Sequence, residues 1–300
     1  MKNAIVLAAG KGTRMRSDTP KVLHNVLEMP MAGLIVQNLK KAGADRIVTV
    51  VGYGADQVKQ ALKGECEFAV QEPQLGTGHA VMCANQLENE EGVTLVVNGD
   101  CPCIESDTLV SLYKAVEDAD MAVLTVSLDD AKSYGRVIRD ENNRVLRIVE
   151  FKDCNEEEAK VKEINTGIYA FNNKALFEGL KKVTNDNAQH EYYITDLVEI
   201  LNNEGKTVKA VLTNNIEEVQ GVNDCVELAH ANAYLRNKIN TKWMKEGVTM
   251  IDPMNTYIGP NVTFGHDVVL HPNVYLYGNT HIGDNVVVKP NTFIVDETVE

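Results

Sequence analysis

Residues 3–15 read NAIVLAAGKGTRM, and this stretch decides the fold of the N-terminal part of the chain. The apolar run NAIVLA predicts a short buried β-strand, and the glycines at positions 10 and 12 predict a tight loop directly after it. Because glycine has no Cβ, the backbone N–H groups of such a loop can approach the oxygens of an anion closely. Lys11 and Arg14 add positive charge to the same loop. The stretch therefore predicts a phosphate-binding loop, although it matches neither the Walker A spacing nor the G-x-G-x-x-G fingerprint.

Strand and helix patterns alternate from this loop to residue 127. β-Branched and apolar runs predict strands near 46–51, 67–70, 93–97 and 121–127, and helical patterns lie between them at 32–42, 55–63, 79–87 and 106–117. This alternation is typical of an α/β fold with a Rossmann-like, mostly parallel sheet that is covered by helices on both faces. Ligands of such sheets bind at the carboxyl ends of the strands. Residues 128–215 mix extended runs with helical ones, at 172–182 and 192–203, and predict an extension of the same sheet over the cleft.

The C-terminal part of the chain changes to a six-residue repeat. Large apolar side chains recur at 258, 264, 270, 276, 282, 288 and 294, and Val or Thr stands four positions after each of them. This register is the hexapeptide signature of a parallel β-helix, and with about three hexads in each coil it predicts roughly two coils. A long helix over 223–246, with Asn223 as its N-cap and Gly247 at its end, is predicted to precede the repeat. The predicted domains are an α/β domain over 1–222, a linker helix over 223–247 and a partial left-handed β-helix over 248–300.

Composition and charge exclude several classes of protein. Lys and Arg together number 29 and Asp and Glu 43, so that the formal net charge is -14. This balance argues against a nucleic-acid-binding surface, which carries a basic stripe. No apolar run approaches the length of a membrane span, and the N-terminus lacks the pattern of a signal peptide. The six cysteines form no C-x-x-C pair and are typical of reduced thiols, so we expect a cytoplasmic protein without a nucleic-acid partner or membrane insertion.

Several motifs, taken in order, resemble those of one enzyme family. LAAGKGTRM at 7–15, followed by PKVLH at 20–24, resembles the signature of the sugar nucleotidyltransferases. The motifs that narrow the resemblance are QLGTGHA at 74–80, NGDCP at 98–102, YGRVIRD at 134–140, IVEFKD at 148–153, EINTGIYAF at 163–171, AQHEYYITD at 188–196 and VQGVND at 219–224. Together they resemble the bacterial N-acetylglucosamine-1-phosphate uridyltransferases, whose bifunctional members carry a C-terminal left-handed β-helix. The resemblance implies that the α/β domain joins UTP to N-acetylglucosamine 1-phosphate, with release of pyrophosphate, in the supply of cell-wall precursors.

The resemblance also implies catalytic roles for individual residues. Arg14 and Lys21 would stabilise negative charge on the triphosphate and on the leaving pyrophosphate. Asp100 and Asn223 would hold Mg²⁺ together. A carboxylate at the end of a buried strand, TLVVNGD, is a hard oxygen ligand of the kind that Mg²⁺ takes.

Substrate-binding roles follow from the same resemblance. The implied positions, in chain order, are Leu7, Ala8, Ala9, Gly10, Lys21, Gln71, Gly76, Thr77, Asn98, Gly99, Gly135, Glu150, Asn165 and Asn223. Of these, the segment 7–10 would lie along the nucleoside and its phosphates. Gln71 with residues 76 and 77 would read the uracil ring, and Gly135, Glu150 and Asn165 would contact the sugar.

Departures from the family pattern leave alternatives open. Cys103 stands where an apolar residue is expected after the Pro of the GD-x-P segment, and Asn98 where some members carry an aromatic residue. One alternative is a nucleotidyltransferase for glucose 1-phosphate with UTP or dTTP, and another is a non-catalytic subunit whose β-helix serves assembly. The acetyltransferase residues of the family lie in a longer β-helix, so we expect no acetyltransferase activity from these 300 residues. The resemblance implies a homotrimer packed through the β-helix. Because only about two coils are predicted, the sequence does not decide between this trimer and a monomer.

Overall fold

The computed structural model describes every residue from Met1 to Glu300. The strands are β1 (Lys2–Ala8), β2 (Asn25–Val26), β3 (Met29–Pro30), β4 (Arg46–Val51), β5 (Glu67–Val70), β6 (Val93–Asn98), β7 (Met121–Ser127), β8 (Arg136–Arg139), β9 (Val145–Val149), β10 (Glu163–Asn172), β11 (Val208–Leu212), β12 (Thr249–Met250), β13 (Thr256–Ile258), β14 (Thr263–Phe264), β15 (Val269–Leu270), β16 (Val274–Tyr277), β17 (His281–Ile282), β18 (Val287–Val288), β19 (Phe293–Val295) and β20 (Thr298–Val299). The α-helices are α1 (Met31–Lys41), α2 (Ala55–Ala61), α3 (Thr77–Cys83), α4 (Ser106–Ala115), α5 (Asn173–Leu180), α6 (Asp196–Asn203), α7 (Ile216–Val219) and α8 (Cys225–Lys245). None of these helices combines the length and the apolar character that crossing a membrane requires.

The chain forms two compact units. The first consists of Met1–Leu23 and Met31–Gly221, and the second of His24–Pro30 and Val222–Glu300. The short hairpin of β2 and β3 therefore belongs to the second unit, although the sequence alone assigned it to the domain over 1–222. Within the second unit the N–H of Leu27 donates to Asn232 Oδ1 at 2.6 Å, and the N–H of Gly278 donates to Glu28 Oε2 at 2.5 Å.

A single nine-stranded sheet organises the first unit. Its order is β11-β7-β10-β6-β1-β4-β5, and the hairpin β8-β9 joins at β10. Strand β1 is parallel to β4 and β6, and β11 is parallel to β7, whereas β10 runs antiparallel to both of its neighbours. The structure thus confirms the predicted α/β fold with a mostly parallel sheet.

Apolar side chains cover both faces of this sheet because successive residues of a strand point to opposite sides. Val6 faces a core that includes Ile35 of α1 and Leu109 of α4. Its neighbour Ile5 faces a second core that includes Leu176 of α5. All five of these side chains are fully buried, and the burial of each such aliphatic side chain contributes about 1.5–3 kcal/mol to stability.

The start of α6 differs from its prediction and is important for the site. The sequence predicted a helix over 192–203, whereas α6 begins at Asp196. Residues 192–195 lie outside the helix, and Tyr192 bonds instead to the segment at the start of α3: its N–H donates to Leu75 O at 2.8 Å, and its O accepts from the N–H of Gly78 at 2.7 Å. This pairing holds the segment before α6 against the loop that leads into α3.

The second unit contains the long helix α8, and its cap corrects the prediction. Asp224, and not Asn223, is the N-cap, because its side chain accepts hydrogen bonds from the N–H groups of Val226 and Glu227 at 2.9 Å. A carboxylate also suits the positive end of the helix dipole. Asn223 lies one residue earlier, and its N–H donates to Glu227 Oε2 at 2.7 Å. Gly247 follows the helix with φ of 101°, as its predicted terminating role requires.

The rest of the second unit is a parallel β-helix with three faces. Its sheets are β12-β15-β18, β13-β16-β19 and β14-β17-β20, and all their pairings are parallel. Residues 18 apart lie one above the other, such as Thr263 and His281, which is the spacing of three hexads. Ile258, Leu270 and Leu276 are fully buried in the interior. Each face holds three strands, so the prediction of roughly two coils was too low, because β12 forms a first strand outside the repeat.

Candidate active site

The glycine-rich loop after β1 packs closely against Lys21. Gly12 has φ of 62°, in the left-handed region, and a Cβ at this position would lie 2.5 Å from the Cβ of Lys21. Only glycine therefore allows this approach. Gly10 is exposed with open space around it, and Arg14 is exposed on a single 3-10 turn, Thr13–Met15. The loop presents backbone and cationic side chains to solvent at the carboxyl end of β1.

Asp100 and Lys21, which come from separate motifs, form an ion pair. Lys21 Nζ donates to Asp100 Oδ2, and the thiol of Cys101 donates to Asp100 Oδ1 at 3.6 Å. The side chains of the pair keep 15% and 20% of their exposure, so that both remain open to a ligand. The N–H of Gly99 donates to Leu7 O at 2.8 Å, and this bond ties the end of β6 to the end of β1. The carboxylate therefore lies beside the glycine-rich loop, where parallel strands end.

Asp100 is the residue of this site that fits a divalent cation. No group of three or more His, Cys, Asp or Glu side chains converges on a metal position. Mg²⁺ does not need such a cage, because it is often bound by one or two carboxylates together with substrate phosphates and water. Asp100 offers a suitable oxygen beside the glycine-rich loop, which the sequence predicts to bind phosphate. Asn223, the second predicted ligand, belongs to the second unit, and its role stays a prediction.

Gln71 is held in one orientation by the loop before α3. Its side chain is only 3% exposed, and its Nε2 donates to Gly76 O at 2.9 Å and lies 3.3 Å from His79 Nδ1. Because a carbonyl oxygen can only accept, the amide nitrogen must face Gly76. The Oε1 atom of Gln71 has no hydrogen-bond partner within the protein. It is therefore an acceptor that a ligand can use.

The loop that holds Gln71 depends on Gly76 and Thr77. Gly76 has φ of 105°, and a Cβ there would lie 2.6 Å from Tyr192 O. Thr77 Oγ1 accepts a hydrogen bond from the N–H of Ile194 at 3.2 Å. The loop and the segment before α6 are thus joined on two sides.

A cavity of about 240 Å³ lies beside these groups. Six residues that the sequence singled out line it, and they come from six different motifs: Leu7, Thr77, Asn98, Gly135, Glu150 and Asn165. The sequence missed other residues of the lining: Ser133, Tyr134, Thr166, Gly167, Tyr169, Ile194 and Thr195. All of these except Ser133 belong to motifs that carried the resemblance, but their residue types alone gave no reason to select them.

The carboxylate and the amide of the cavity are held by neighbours. Glu150 Oε1 accepts a hydrogen bond from Thr195 Oγ1 at 3.3 Å, and burial raises the pKa of Glu150. Asn165 Nδ2 donates to Tyr169 Oη at 2.6 Å, and its backbone N–H donates to Gly135 O at 2.9 Å. Side chains that are fixed in this way lose little conformational entropy when they bind a polar ligand.

Asp196, the first residue of α6, follows Thr195 of the cavity lining and is a second acidic group whose ionisation is affected by burial and by the charge of Glu150. Burial, followed by the nearby charges of Glu150, Glu199 and Asp153, raises its pKa from 3.8 to about 6. The raised pKa shows that ionised Asp196 is unfavourable in the folded protein.

Comparison with known proteins agrees with this arrangement. The family described as "Nucleotidyl transferase" matches residues 3–244, and "Bacterial transferase hexapeptide (six repeats)" matches residues 261–296. The Bifunctional protein GlmU of Exiguobacterium sibiricum is 51% identical over 90% of this chain and 61% of its own length. The proteins of the same name from Bacillus subtilis (48% identical over 90% of this chain and 60% of the relative) and Latilactobacillus sakei (47% identical over 100% and 65%) are also similar. The chain thus spans about 60% of the length of these curated relatives.

A solved structure supports the fold. A chain named as a glucose-1-phosphate thymidylyltransferase from Bacillus anthracis, crystallised with sucrose, superposes with a TM-score of 0.64 at 23% identity. The likeness covers 79% of this chain and 96% of the other. At this identity it concerns the fold alone. Since the family match covers most of the residues and the glycine-rich loop, the Asp100–Lys21 pair and the neighbouring cavity all lie within it, the chain belongs to the nucleotidyl transferase family.

Proposed function

We propose that this chain transfers the uridylyl group of UTP to N-acetylglucosamine 1-phosphate and releases pyrophosphate. The observation that carries the proposal is the contact of Lys21 with Asp100 beside the glycine-rich loop, next to a cavity of about 240 Å³. Phosphoryl-type transfer needs positioning and neutralisation of charge more than covalent help, and these groups supply both. The identity of about half the residues with proteins named Bifunctional protein GlmU supports the choice of substrates. The product would serve the synthesis of cell-wall precursors.

The nucleotide is proposed to lie along the loop after β1. The backbone of residues 7–10 would follow the nucleoside and its phosphates, and Ala8 and Ala9 leave room because their side chains are small and buried. Gln71 Oε1 would accept a hydrogen bond from the N3–H of uracil, since its Nε2 already donates to Gly76 O. Cytosine lacks this donor at N3, so the fixed amide would favour UTP over CTP.

The sugar phosphate is proposed to occupy the cavity. The carboxylate of Glu150 and the amide of Asn165 suit the hydroxyl and N-acetyl groups of the sugar. Gly135 leaves the space beside this carboxylate to a ligand, because a Cβ there would lie in contact with Glu150, 3.5 Å from both of its oxygens, and 3.3 Å from Ile148 Cγ2. Asn98 and Gly99 continue the wall toward Asp100, and the amide of Asn98 donates to Thr166 O at 3.4 Å.

In the proposed reaction, a phosphate oxygen of the sugar 1-phosphate attacks the α-phosphorus of UTP. A new P–O bond forms to the α-phosphorus, in line with the bond between this phosphorus and pyrophosphate. That older bond breaks, and pyrophosphate leaves with its electron pair. Lys21 and Arg14 would stabilise the negative charge that grows on the phosphates in the transition state. Asp100 would hold Mg²⁺, which supplies charge neutralisation for the phosphate oxygens when it is bound. Asn223 keeps its predicted role as a further ligand.

One panel of assays tests the proposal. The purified protein is incubated with UTP, dTTP or CTP, with N-acetylglucosamine 1-phosphate or glucose 1-phosphate, and with Mg²⁺, and pyrophosphate is measured. We expect the highest kcat/KM for UTP with the N-acetylated sugar. A preference for glucose 1-phosphate would refute the choice of sugar, and no pyrophosphate with any pair would favour a non-catalytic subunit.

Two variants test the catalytic residues. We expect Asp100→Ala to abolish turnover while the circular dichroism spectrum stays that of the wild type, because the carboxylate is partly exposed and supports no core. Arg14→Ala should lose about 2–4 kcal/mol of transition-state stabilisation, by comparison with deleted oxyanion donors in other enzymes. Near-normal kcat/KM in either variant would refute the role of that residue.

The remaining parts of the proposal concern the chain as a whole. We propose nucleotidyl transfer without acetyl transfer for these 300 residues, and release of free CoA in the presence of glucosamine 1-phosphate and acetyl-CoA would refute this. Cytoplasmic location and assembly into homotrimers through the β-helix stay predictions. Light scattering of the purified protein tests the second.

A further inference from the structure

Arg136 is a buried arginine that binds the main chain and no acidic partner. It is 2% exposed. Its guanidinium donates to four carbonyl oxygens: Nη1 to Ala131 at 3.1 Å and to Tyr134, Nη2 to Lys132 at 2.8 Å, and Nε to Ala159 at 3.3 Å. Three of these carbonyls belong to one loop, the segment that joins β7 to β8. The guanidinium carbon also lies 5.2 Å from the ring centre of Phe151, the residue after Glu150.

The loop over 128–135 contributes residues to two cavities. Ser133, Tyr134 and Gly135 line the cavity proposed for the sugar. Residues 129–132 of the same loop line a second cavity of about 480 Å³ together with Arg136 and Phe151. Leu128, Ala131 and Tyr134 pack on the core, whereas the side chains at 129, 130, 132 and 133 are exposed, so hydrogen bonds to the main chain are needed to fix the loop between these packing points. The guanidinium supplies three such bonds to the loop, and its fourth bond, to Ala159 O, ties the loop to the segment before β10.

We propose that Arg136 is a positioning residue for the sugar site. It holds the wall formed by residues 133–135 and, through the ring of Phe151, the backbone that carries Glu150. Arg136 does not line the sugar cavity, so it acts through its neighbours and is not a catalytic residue. The inference rests on the proposed function, because it assumes that this cavity binds the sugar phosphate.

Arginine is required here because of its geometry. Its planar guanidinium carries five N–H donors in a fixed fork, whereas lysine has one nitrogen at the end of a flexible stem. A lysine at 136 keeps the charge but cannot reach the carbonyls of the loop and that of Ala159 together. Arg136→Lys should therefore release the loop without removing the charge.

The test compares Arg136→Lys with a matched control on the same strand. Arg139 also lies on β8 and binds both oxygens of Glu163 at 2.7 Å, but makes no bond to the loop over 128–135. For Arg136→Lys we expect the KM for N-acetylglucosamine 1-phosphate to rise roughly tenfold or more, because misplacing a binding group by about 1 Å is that costly. The KM for UTP and the kcat at saturation should change by less than about twofold, and Arg139→Lys should leave both KM values unchanged.

Two outcomes overturn the inference. One is a folded Arg136→Lys protein with an unchanged KM for the sugar phosphate, and the other is an equal rise of both KM values, which indicates a merely structural role. If Arg136→Lys does not fold, Phe151→Leu tests the inference in the same assay. It removes the aromatic ring that contacts the guanidinium, and the fold should tolerate the change because Phe151 is exposed. If the wild type transfers no nucleotide to any sugar phosphate, the proposed function fails. Hydrogen exchange then still tests whether Arg136 holds the loop: the amides of 131–135 should exchange faster in Arg136→Lys than in Arg139→Lys.

Discussion

Replacing Asp196 by Asn should stabilise the protein in neutral solution and not in acid. In the folded state the pKa of Asp196 is raised from 3.8 to about 6, first by burial and then by the charges of Glu150, Glu199 and Asp153. The folded protein therefore binds the proton more tightly than the unfolded chain does. Below pH 3.8 the carboxyl is neutral in both states and costs nothing, and the cost of ionisation grows as the pH rises to about 6 and is complete above it.

The size of this effect follows from the shift. About two pKa units correspond to about 3 kcal/mol, at 1.36 kcal/mol for each unit. Asp196 is only half-buried, so that solvent screens part of the interaction, and we expect about half of that value, ~1.5 kcal/mol. Asparagine keeps the shape of the side chain and removes the charge.

Urea unfolding at about pH 8 and about pH 4 measures the difference. The control is Asp56→Asn, which changes an exposed Asp in the first turn of α2. That carboxylate is favourable beside the helix dipole, so the control should lose about 0.3–1 kcal/mol at the higher pH. The reasoning is refuted if Asp196→Asn is destabilised at about pH 8, or if its effect is the same at both pH values.

Three further substitutions test other parts of the structure. Gly167→Ala would place a Cβ 2.3 Å from Asn98 Nδ2 at a φ of 77°, so we expect the KM for the sugar phosphate to rise roughly tenfold and the KM for UTP to stay unchanged in initial-rate assays. Gln71→Glu puts a carboxylate oxygen, in place of the donating amide nitrogen, against Gly76 O. Because repulsion between two oxygens replaces a hydrogen bond, we expect the KM for UTP to rise by about tenfold or more. An unchanged affinity in nucleotide titrations would contradict this. Asn173 is fully buried and its side chain bonds to two carbonyls and a hydroxyl, so Asn173→Ala should lower the free energy of unfolding by about 3–5 kcal/mol, and a loss below about 1 kcal/mol in urea unfolding would show that the network contributes little.

Local patterns predicted the elements of this fold well where the pattern itself has a physical cause. Continuous apolar runs mark β1 and β4 because strands inside a parallel sheet are buried on both faces. The six-residue register marks the β-helix because every turn must place an apolar side chain in the same interior. The prediction failed where distant residues compete with local preference. The N–H groups of Tyr192 and Ile194 donate to Leu75 and Thr77 instead of taking part in α6, and the hairpin over 25–30 groups with the second unit.

The residues of the candidate site also divide into those that motifs identified and those that only the structure revealed. Motifs identified Asp100, Lys21 and Glu150 as residues with a suitable chemistry. No pattern pointed to Arg136, because a surface ion pair and a buried loop support look alike in a sequence. No pattern pointed to the contact of His79 either: its Nδ1 lies 3.3 Å from Gln71 Nε2, where it supports the orientation of that amide.

The sequence by itself determined the fold class, the strand followed by a glycine-rich loop, and the repeat that forms the β-helix. These features depend on residue type and short-range periodicity, which a single chain displays directly. Only the tertiary structure decided that Lys21 contacts Asp100, that six motifs line one cavity, and that Gln71 presents an acceptor. Such contacts join residues far apart in the chain, and the packing of the whole sheet, not any local preference, sets their distances.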